Sequence, residues 1–450
     1  MKKEFQVLLI AMSGVRIKDS ELLKLGMTLP GFIERSQTIA KLPSLSLLTL
    51  ASYCPHNWNP TYLEVDELDE TTIDPIGAGN FDLVAISTYT ARAYDAYLLA
   101  DKIRLSGTKV ILGGLHVSAM PEEASSHADS VIQGQGELIW PQVLNDYENG
   151  KLKPFYSSFD PHQPSYYLKH SKTPRYDLID FKHYNRVTLQ TSRGCPLHCS
   201  FCAASRTISN YQLKPIENIR EELHQIFGLW DRPFLELADD NTFVDKKWSK
   251  ELLKLFRDFP MKWFTETDIS VADDPELLEL LAESNCAQIL VGLESAIPQS
   301  LTGIDSHDWK RRQYDHYHKK IKLIQSYGIS VNGCFILGLD CDDEKVFELT
   351  RDYVVHSSLS EVQITLLTPF PGTQLFKTFK QQNRLLKNEF WDQCTLFDVT
   401  YQPARMSPQT LEQGFHYLMK EIYDVQRAQK RKAQFKECRK IRQELLSQGV

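Results

Sequence analysis

Three cysteines stand close together in the segment TSRGCPLHCSFC, at Cys195, Cys199 and Cys202, with the spacing C-x3-C-x2-C. The segment continues from Val187–Thr191, which is predicted to be a strand. A loop that leaves the end of a strand can wrap three thiolates around one small inorganic group. The spacing therefore predicts a local metal site and argues against a disulfide framework.

Three kinds of site are compatible with these thiols. A structural zinc ion needs four protein ligands, and the only nearby fourth, His198, is adjacent to Cys199 and is expected to point away. Three free buried cysteines are the second alternative. An iron–sulfur cubane usually takes four cysteines, so three would leave one iron open for a small chelating ligand. The [4Fe–4S] cluster fits three cysteines better than the two alternatives. Its open iron would make the site catalytic.

A strand–helix series surrounds this motif and predicts an incomplete (β/α)6 barrel over residues 185–372. Its predicted strands are Val187–Thr191, Phe234–Ala238, Trp263–Thr267, Ile289–Gly292, Val331–Leu337 and Val362–Leu367. The helical patterns between them are Pro215–Phe227, Lys247–Asp258, Pro275–Ser284, Trp309–Tyr327 and Glu344–His356. The cysteines then lie at the carboxyl end of the first barrel strand, which is the active face of such folds.

The preceding part of the chain predicts a second α/β unit. Apolar strands alternate with amphipathic helices over residues 1–150, which indicates a doubly wound, Rossmann-like parallel sheet. Its ligand crevice is expected beyond the strand ends, where Ser87, Thr88, Gly113 and Gly114 stand. Residues 151–184 are rich in Pro, Ser and Tyr and predict an irregular connector. Residues 373–450 predict a mainly helical extension that ends in one long, charge-rich helix over residues 420–446. We expect this helix to be solvated, with a surface for an acidic partner as the alternative.

Composition limits the classes of protein that remain. The chain has 450 residues, of which 42% are hydrophobic and 24% charged, so a folded protein is expected. The formal net charge of −7 disfavours a nucleic-acid partner. No apolar run approaches the roughly 20 residues of a transmembrane helix. The nine cysteines show no disulfide pattern, so we expect a cytoplasmic protein with reduced thiols.

The cysteine motif, with the aromatic Phe201 just before its last cysteine and its place on the first strand of the series, resembles that of radical S-adenosylmethionine (SAM) enzymes. The resemblance implies that the open iron binds the methionine part of SAM. It also implies that an electron, from a donor such as flavodoxin or ferredoxin, splits SAM into a deoxyadenosyl radical that takes hydrogen from an unactivated carbon.

The same resemblance assigns SAM contacts to Phe201 and to residues that follow later strands. Asp239 and Asp240 stand where the family often has G-G-E for the SAM ammonium, with capping of a helix by Asp240 or Asn241 as the alternative. Glu294 and Ser295, in VGLES, match positions that contact the ribose. Gly338 matches a position near the adenine, where it gives backbone clearance.

The first unit resembles the cobalamin-binding domain of cobalamin-dependent radical SAM proteins. The matching segments are LPSLSLLTLA (42–51), AISTYT (85–90), GGLHVSAMPEEA (113–124) and VIQGQGE (131–137). The resemblance places Ser87, Thr88, Gly113, Gly114 and Glu137 near cobalamin. The D-x-H-x-x-G motif, whose histidine ligates cobalt, is absent, since the chain reads IAMSGVRI there. Two interpretations remain: cobalt is bound without a histidine ligand, or the domain has lost its cofactor.

Taken together, the resemblance implies a cobalamin-dependent radical SAM methyltransferase acting on an unactivated carbon of a small-molecule substrate. Rearrangement or oxidative cyclisation with the same cofactors is the alternative. An iron–sulfur electron-transfer or sensor protein is the alternative from another class. Aromatic residues near Phe370, Phe376 and Trp391 allow an apolar substrate pocket, with core packing as the simpler explanation.

Overall fold

The computed structural model describes residues 3–13, 19–25, 42–69, 80–159, 168–204 and 207–447. Parts of two segments interpreted above, IAMSGVRI and the connector, lie outside these residues. None of the described helices is both long enough and apolar enough to cross a bilayer.

The first sheet is parallel throughout and has the strand order β2-β1-β3-β4-β5-β6. Its strands are β1 Phe5–Met12, β2 Trp58–Val65, β3 Leu83–Ser87, β4 Lys109–Gly113, β5 Ser130–Gln133 and β6 Phe155–Ser157. β1 is buried except for Gln6, as expected of a central strand that is covered on both faces. The doubly wound unit is thus observed. β6 comes from the segment predicted as irregular connector, and buried Tyr156 fixes it through a 2.9 Å hydrogen bond to Asp146.

The second sheet is also parallel and has the order β14-β13-β12-β11-β10-β7. Its strands are β7 Val187–Leu189, β10 Phe234–Leu237, β11 Lys262–Thr267, β12 Cys286–Glu294, β13 Ser330–Leu337 and β14 Glu361–Leu366. The short antiparallel strands β8 (Ser192–Arg193) and β9 (Gln212–Leu213) form a separate ribbon. β7 and β14 are the two edges of the six-stranded sheet, so the predicted incomplete barrel is confirmed.

Helices cover both sheets. The first 150 residues contain α1 Ser20–Lys24, α2 Leu45–Ser52, α3 Ala93–Leu105, α4 Leu115–Ala119, α5 Pro121–Ser125 and α6 Gly136–Glu148. Of these, α1 packs on the barrel core through Leu22. In the barrel the helices are α7 Ile216–Leu229, α8 Lys246–Phe256, α9 Pro275–Glu283, α10 Trp309–Gln313, α11 Tyr317–Ser326 and α12 Val346–His356. In the last part they are α13 Gln374–Gln381, α14 Pro408–Ile422 and α15 Val425–Ser447. α2 and α6 pack on one face of the first sheet and α3 on the other.

The helical extension differs from the sequence prediction in one respect. A single helix was expected over residues 420–446, but α14 ends at Ile422 and α15 begins at Val425. Tyr423 lies between them and is buried, and its hydroxyl donates a 2.6 Å hydrogen bond to the carbonyl of Val362 in β14. The anchoring of Tyr423 on the barrel accounts for the break.

A buried ion pair supports the strand that precedes the cysteines. Lys214 and Glu222 lie 2.7 Å apart with almost no exposure, and the Lys214 amide donates to the carbonyl of Thr191. We expect Lys214→Met to lower the free energy of unfolding by about 3–5 kcal/mol, because Glu222 would stay buried without its partner. Urea unfolding would measure the change. The double variant Lys214→Met/Glu222→Leu should recover most of it, and a double variant as unstable as the single one would contradict this explanation.

Candidate cluster and cofactor sites

The cysteines lie in a loop that the β8–β9 ribbon closes at its base. Gly194 begins the loop with φ +83°, and a Cβ on it would meet the Asn210 carbonyl oxygen at 2.8 Å, so glycine is required there. The Ser200 amide donates to the Ile304 carbonyl at 2.9 Å, and the Leu375 amide donates to the Ser200 carbonyl at 3.0 Å. These bonds fix the loop to the barrel and to the helical extension.

The loop brings the three thiols together. Burial raises the pKa of Cys199 to about 12, and the Cys195 and Cys202 sulfurs add to the rise while Lys310 opposes it. Burial also raises the pKa of Cys195. Among the described residues, no three His, Cys, Asp or Glu side chains converge on one point as ligands of a single metal ion. A cubane fits this donor set, since each thiolate binds a different iron and metal binding removes the thiol proton. Phe201 packs against the barrel core.

The two aspartates after β10 differ in their surroundings. Asp239 is buried and accepts hydrogen bonds from the amides of Thr191 and Ser192 at 2.7 and 2.9 Å. Its carboxylate thus holds the end of β7. Asp240 is half-buried and accepts from the Gly194 amide at 2.9 Å, so it lies beside the cysteine loop. Of the two carboxylates, that of Asp240 is the better placed to contact a molecule bound at the open iron.

The alternative of helix capping at these residues is wrong. The carboxylate of Asp245 caps α8 by accepting from the Trp248 amide at 2.9 Å. Asn241 instead donates to the Cys195 sulfur at 3.9 Å and to Asp268 at 2.8 Å. It therefore supports the cysteine loop.

Glu294 lies at the end of β12 with φ +65°, and its carboxylate forms a 2.7 Å ion pair with Lys310. Both side chains are buried, and Lys310 also donates to the Gly292 carbonyl at 3.0 Å. Burial lowers the pKa of Lys310, but the charges of Glu294, Cys199 and Tyr317, together with the hydrogen bond to Glu294, outweigh it and hold that pKa above its ordinary range. Sequence reasoning missed Lys310, because it stands in the predicted helix among other basic residues and nothing there marks it as inward-facing.

Two further predicted SAM residues have protein partners. The Ser295 hydroxyl is buried and accepts from the Ile297 amide at 3.0 Å. Gly338 has φ +92°, and a Cβ on it would lie 2.2 Å from the Tyr401 hydroxyl. The Tyr401 hydroxyl also donates to the Gly338 carbonyl at 2.5 Å. The absence of a side chain at Gly338 does leave space, as expected, but the Tyr401 hydroxyl fills that space.

A cavity of about 1160 Å³ lies between the strand ends of the first sheet and the interior of the barrel. All five residues predicted to lie near cobalamin line it, namely Ser87, Thr88, Gly113, Gly114 and Glu137. At Gly113 a Cβ would have no neighbour closer than the Ile132 carbonyl oxygen at 4.0 Å, so the missing side chain leaves space open. At Gly114 a Cβ would lie 2.6 Å from the Thr88 oxygen, so that glycine serves the close approach of β3 and β4. The wall and the space fit a large cofactor.

Glu137 has a second role at the domain boundary. Its carboxylate pairs with Arg193 of β8 at 2.7 Å, and Arg193 also donates to Gln135 at 3.0 Å. The pair links the wall of the cavity to the base of the cysteine loop.

We expect Glu137→Ala to cost about 1–3 kcal/mol of unfolding free energy, because it removes a charged partner from the nearly buried Arg193. Urea unfolding would measure it. Glu283→Ala breaks an exposed pair with Arg257 and should cost less than about 1 kcal/mol. Equal costs at the two positions would show that the Glu137 pair does not hold the boundary.

Comparison with known proteins finds two family models that match this chain. The B12 binding domain model matches residues 40–144, and the Radical SAM superfamily model matches residues 189–354. Bacteriochlorophyllide d C-12(1)-methyltransferase of Chlorobaculum tepidum is 28% identical over 375 residues, which cover 80% of this chain and 79% of the relative.

Two solved structures share the fold. One is the cobalamin-dependent S-adenosylmethionine radical enzyme OxsB with aqua-cobalamin bound, with a TM-score of 0.69 and 13% identity over 92% of this chain and 66% of that chain. The other is the radical S-adenosylmethionine methyltransferase TsrM from Kitasatospora setae with cobalamin and a [4Fe–4S] cluster bound. Its TM-score is 0.65, with 16% identity over 92% of this chain and 85% of that chain.

A doubly wound unit that faces an incomplete barrel, with three cysteines after the first barrel strand, defines a radical SAM enzyme. The chain combines a B12 binding domain with a domain of the Radical SAM superfamily, and these two domains indicate a [4Fe–4S] cluster, SAM and cobalamin as its cofactors.

Proposed function

We propose that this enzyme is a C-methyltransferase that acts on an unactivated carbon of a small molecule. The observation that carries the proposal is that one cavity is lined both by the strand ends of the cobalamin-binding unit and by the barrel strands. A cofactor held by the first unit and a substrate in the barrel would therefore share one cavity. The methyltransferase name of the Chlorobaculum relative supports this choice of reaction.

The chain's own residues have distinct roles in this proposal. Cys195, Cys199 and Cys202 hold the cluster, and Asp240 and Glu294 lie near it to contact SAM. Ser87, Thr88 and Gly113 form the wall for cobalamin, with Gly114 and Glu137 supporting that wall. When bound, the cluster, SAM and cobalamin supply a hydrogen-abstracting radical and a transferable methyl group. The protein excludes water and fixes the distance between the cofactors and the substrate.

The substrate space combines apolar and polar surfaces. Phe264, Leu290 and Phe397 give it apolar surface, which would exclude water from a reactive carbon. Phe376 and Trp391 lie in the core of the first unit, with Phe370 packed against it, as the simpler explanation of core packing predicts. We further propose that flavodoxin or ferredoxin supplies the electron, in the reducing cytoplasm.

Methyl-labelled SAM tests the proposal. Anaerobically reconstituted enzyme with cobalamin and dithionite would be incubated with small-molecule extract of the source organism. We expect reductive SAM cleavage together with label in a product. Cleavage without label in any product would favour rearrangement or cyclisation. Absence of SAM cleavage would favour electron transfer or sensing.

A further inference from the structure

The interior of the barrel presents polar groups without partners to the cavity. Glu266 of β11 pairs in register with Leu290 of β12, and Leu290 pairs with Asn332 of β13. All three line the cavity, so they form one row across neighbouring strands. Gln363 of β14 lines it as well. We call Glu266, Asn332 and Gln363 the lumen cluster.

Asn332 of the lumen cluster lacks a hydrogen-bond donor for its side-chain oxygen. Its side chain is 4% exposed, and its Oδ1 atom has no hydrogen-bond partner among the described residues. A buried carbonyl oxygen without a donor costs about 1–3 kcal/mol, so such atoms are rare unless something else satisfies them. Because Asn332 lines the cavity, a bound molecule can provide the missing donor.

Glu266 lacks a compensating cation. Its neighbours Glu236 and Glu294 are paired with Arg186 and Lys310. The structure gives no hydrogen bond or ion pair to the Glu266 carboxylate within the part of the chain that it describes. Burial, and then the charges of Glu236, Asp240 and Glu294, raise the pKa of Glu266 to about 8. The carboxyl group is open to the cavity but has no protein cation to pair with.

These features select the chemistry of the ligand. A carboxylate or phosphate would meet the repulsion of Glu266 and the acidic residues around it, and it could not donate to Asn332. An ammonium group offers three donors and one positive charge, which matches an unpaired carboxyl group beside the unsatisfied amide oxygen of Asn332. Phe264 and Leu290, on the same wall, suit an apolar chain attached to that group.

We propose that the lumen cluster binds a primary ammonium group of the substrate, with Glu266 as its counter-ion and Asn332 and Gln363 as acceptors. This inference rests on the proposed function for the identity of the ligand as substrate. SAM carries an ammonium group too, so the source of the ammonium has to be tested separately from its binding.

Fragment binding tests the cluster directly. Butylamine, butanol and butyrate have equal chain lengths, and saturation-transfer NMR would measure their binding to the reconstituted enzyme. We expect butylamine to bind best and butyrate not to bind. Glu266→Gln should weaken butylamine binding by about tenfold or more, and Asn332→Leu should weaken it as well. Glu276→Gln, on the surface of α9, is the matched control and should have no effect.

The pH dependence provides a second readout. Butylamine stays protonated up to about pH 10, as lysine does, so its affinity should rise between pH 6.5 and 8.5 as Glu266 loses its proton. Glu266→Gln should abolish that rise. No binding of butylamine to the wild type, or equal binding to the wild type and Glu266→Gln, would overturn the proposal.

A third measurement distinguishes the two sources of the ammonium group. If Glu266→Gln weakens the binding of SAM but not of a SAM analogue without the α-amino group, the ammonium belongs to SAM and the substrate assignment is wrong. Equal effects on both SAM ligands support the substrate. None of these measurements needs turnover, so their failure is distinguishable from a failure of labelled methyl transfer.

Discussion

Replacing Cys199 by alanine is expected to abolish SAM cleavage, by more than roughly a thousandfold, because the uncatalysed reaction is negligible. Cys199 is the most buried of the three cysteines, and its sulfur interacts electrostatically with the other two. With only two thiolates, the loop cannot hold a cubane with one open iron. Iron and sulfide analysis of the anaerobically reconstituted protein, together with the EPR spectrum after reduction, would show the loss directly.

The matched control is the same substitution at another free thiol. Cys341 follows β13 outside the cysteine loop and is half-buried, so Cys341→Ala should leave iron content and SAM cleavage unchanged. Circular dichroism would confirm that both variants fold. Full iron content in Cys199→Ala would refute the assignment of the cluster to this loop.

The architecture was predictable because parallel sheets leave a strong pattern in the sequence. Strands buried on both faces are continuous apolar runs, and the helices between them are amphipathic, so all six barrel strands were located. The cysteine motif could be proposed as a cluster site from the sequence because its three thiols come from one short loop. The break after Ile422 was not, because it depends on the contact of Tyr423 with β14, which is distant in sequence.

The remaining site residues were harder to predict for the same reason. Spacing could not tell Asp239 from Asp240, since the difference lies in which of them meets the amides at the end of β7. Lys310 and Asn332 reach the site from elements far apart in sequence, and their surroundings there are ordinary. Side chains from separate strands converge only after the sheet has formed, so a local pattern does not reveal them.

Filling the space at Gly113 is expected to weaken cobalamin binding by about tenfold or more. Gly113 ends β4 and lines the cavity, and a Cβ there meets only the Ile132 carbonyl oxygen, at 4.0 Å. Gly113→Leu should therefore fold normally while its side chain occupies space that the cofactor needs. About 1.4 kcal/mol of lost binding energy corresponds to a tenfold weaker dissociation constant. Titration of the protein with hydroxocobalamin, followed in the visible spectrum, would measure it.

Gly228→Leu is the control for this substitution, because Gly228 lies on an exposed part of α7 where a Cβ meets no atom within 4 Å. It should bind cobalamin as the wild type does. Iron content should be normal in both variants, since neither glycine touches the cysteine loop. If Gly113→Leu bound cobalamin with unchanged affinity, the cofactor would have to lie elsewhere. The shared cavity would then no longer support methyl transfer between the two units.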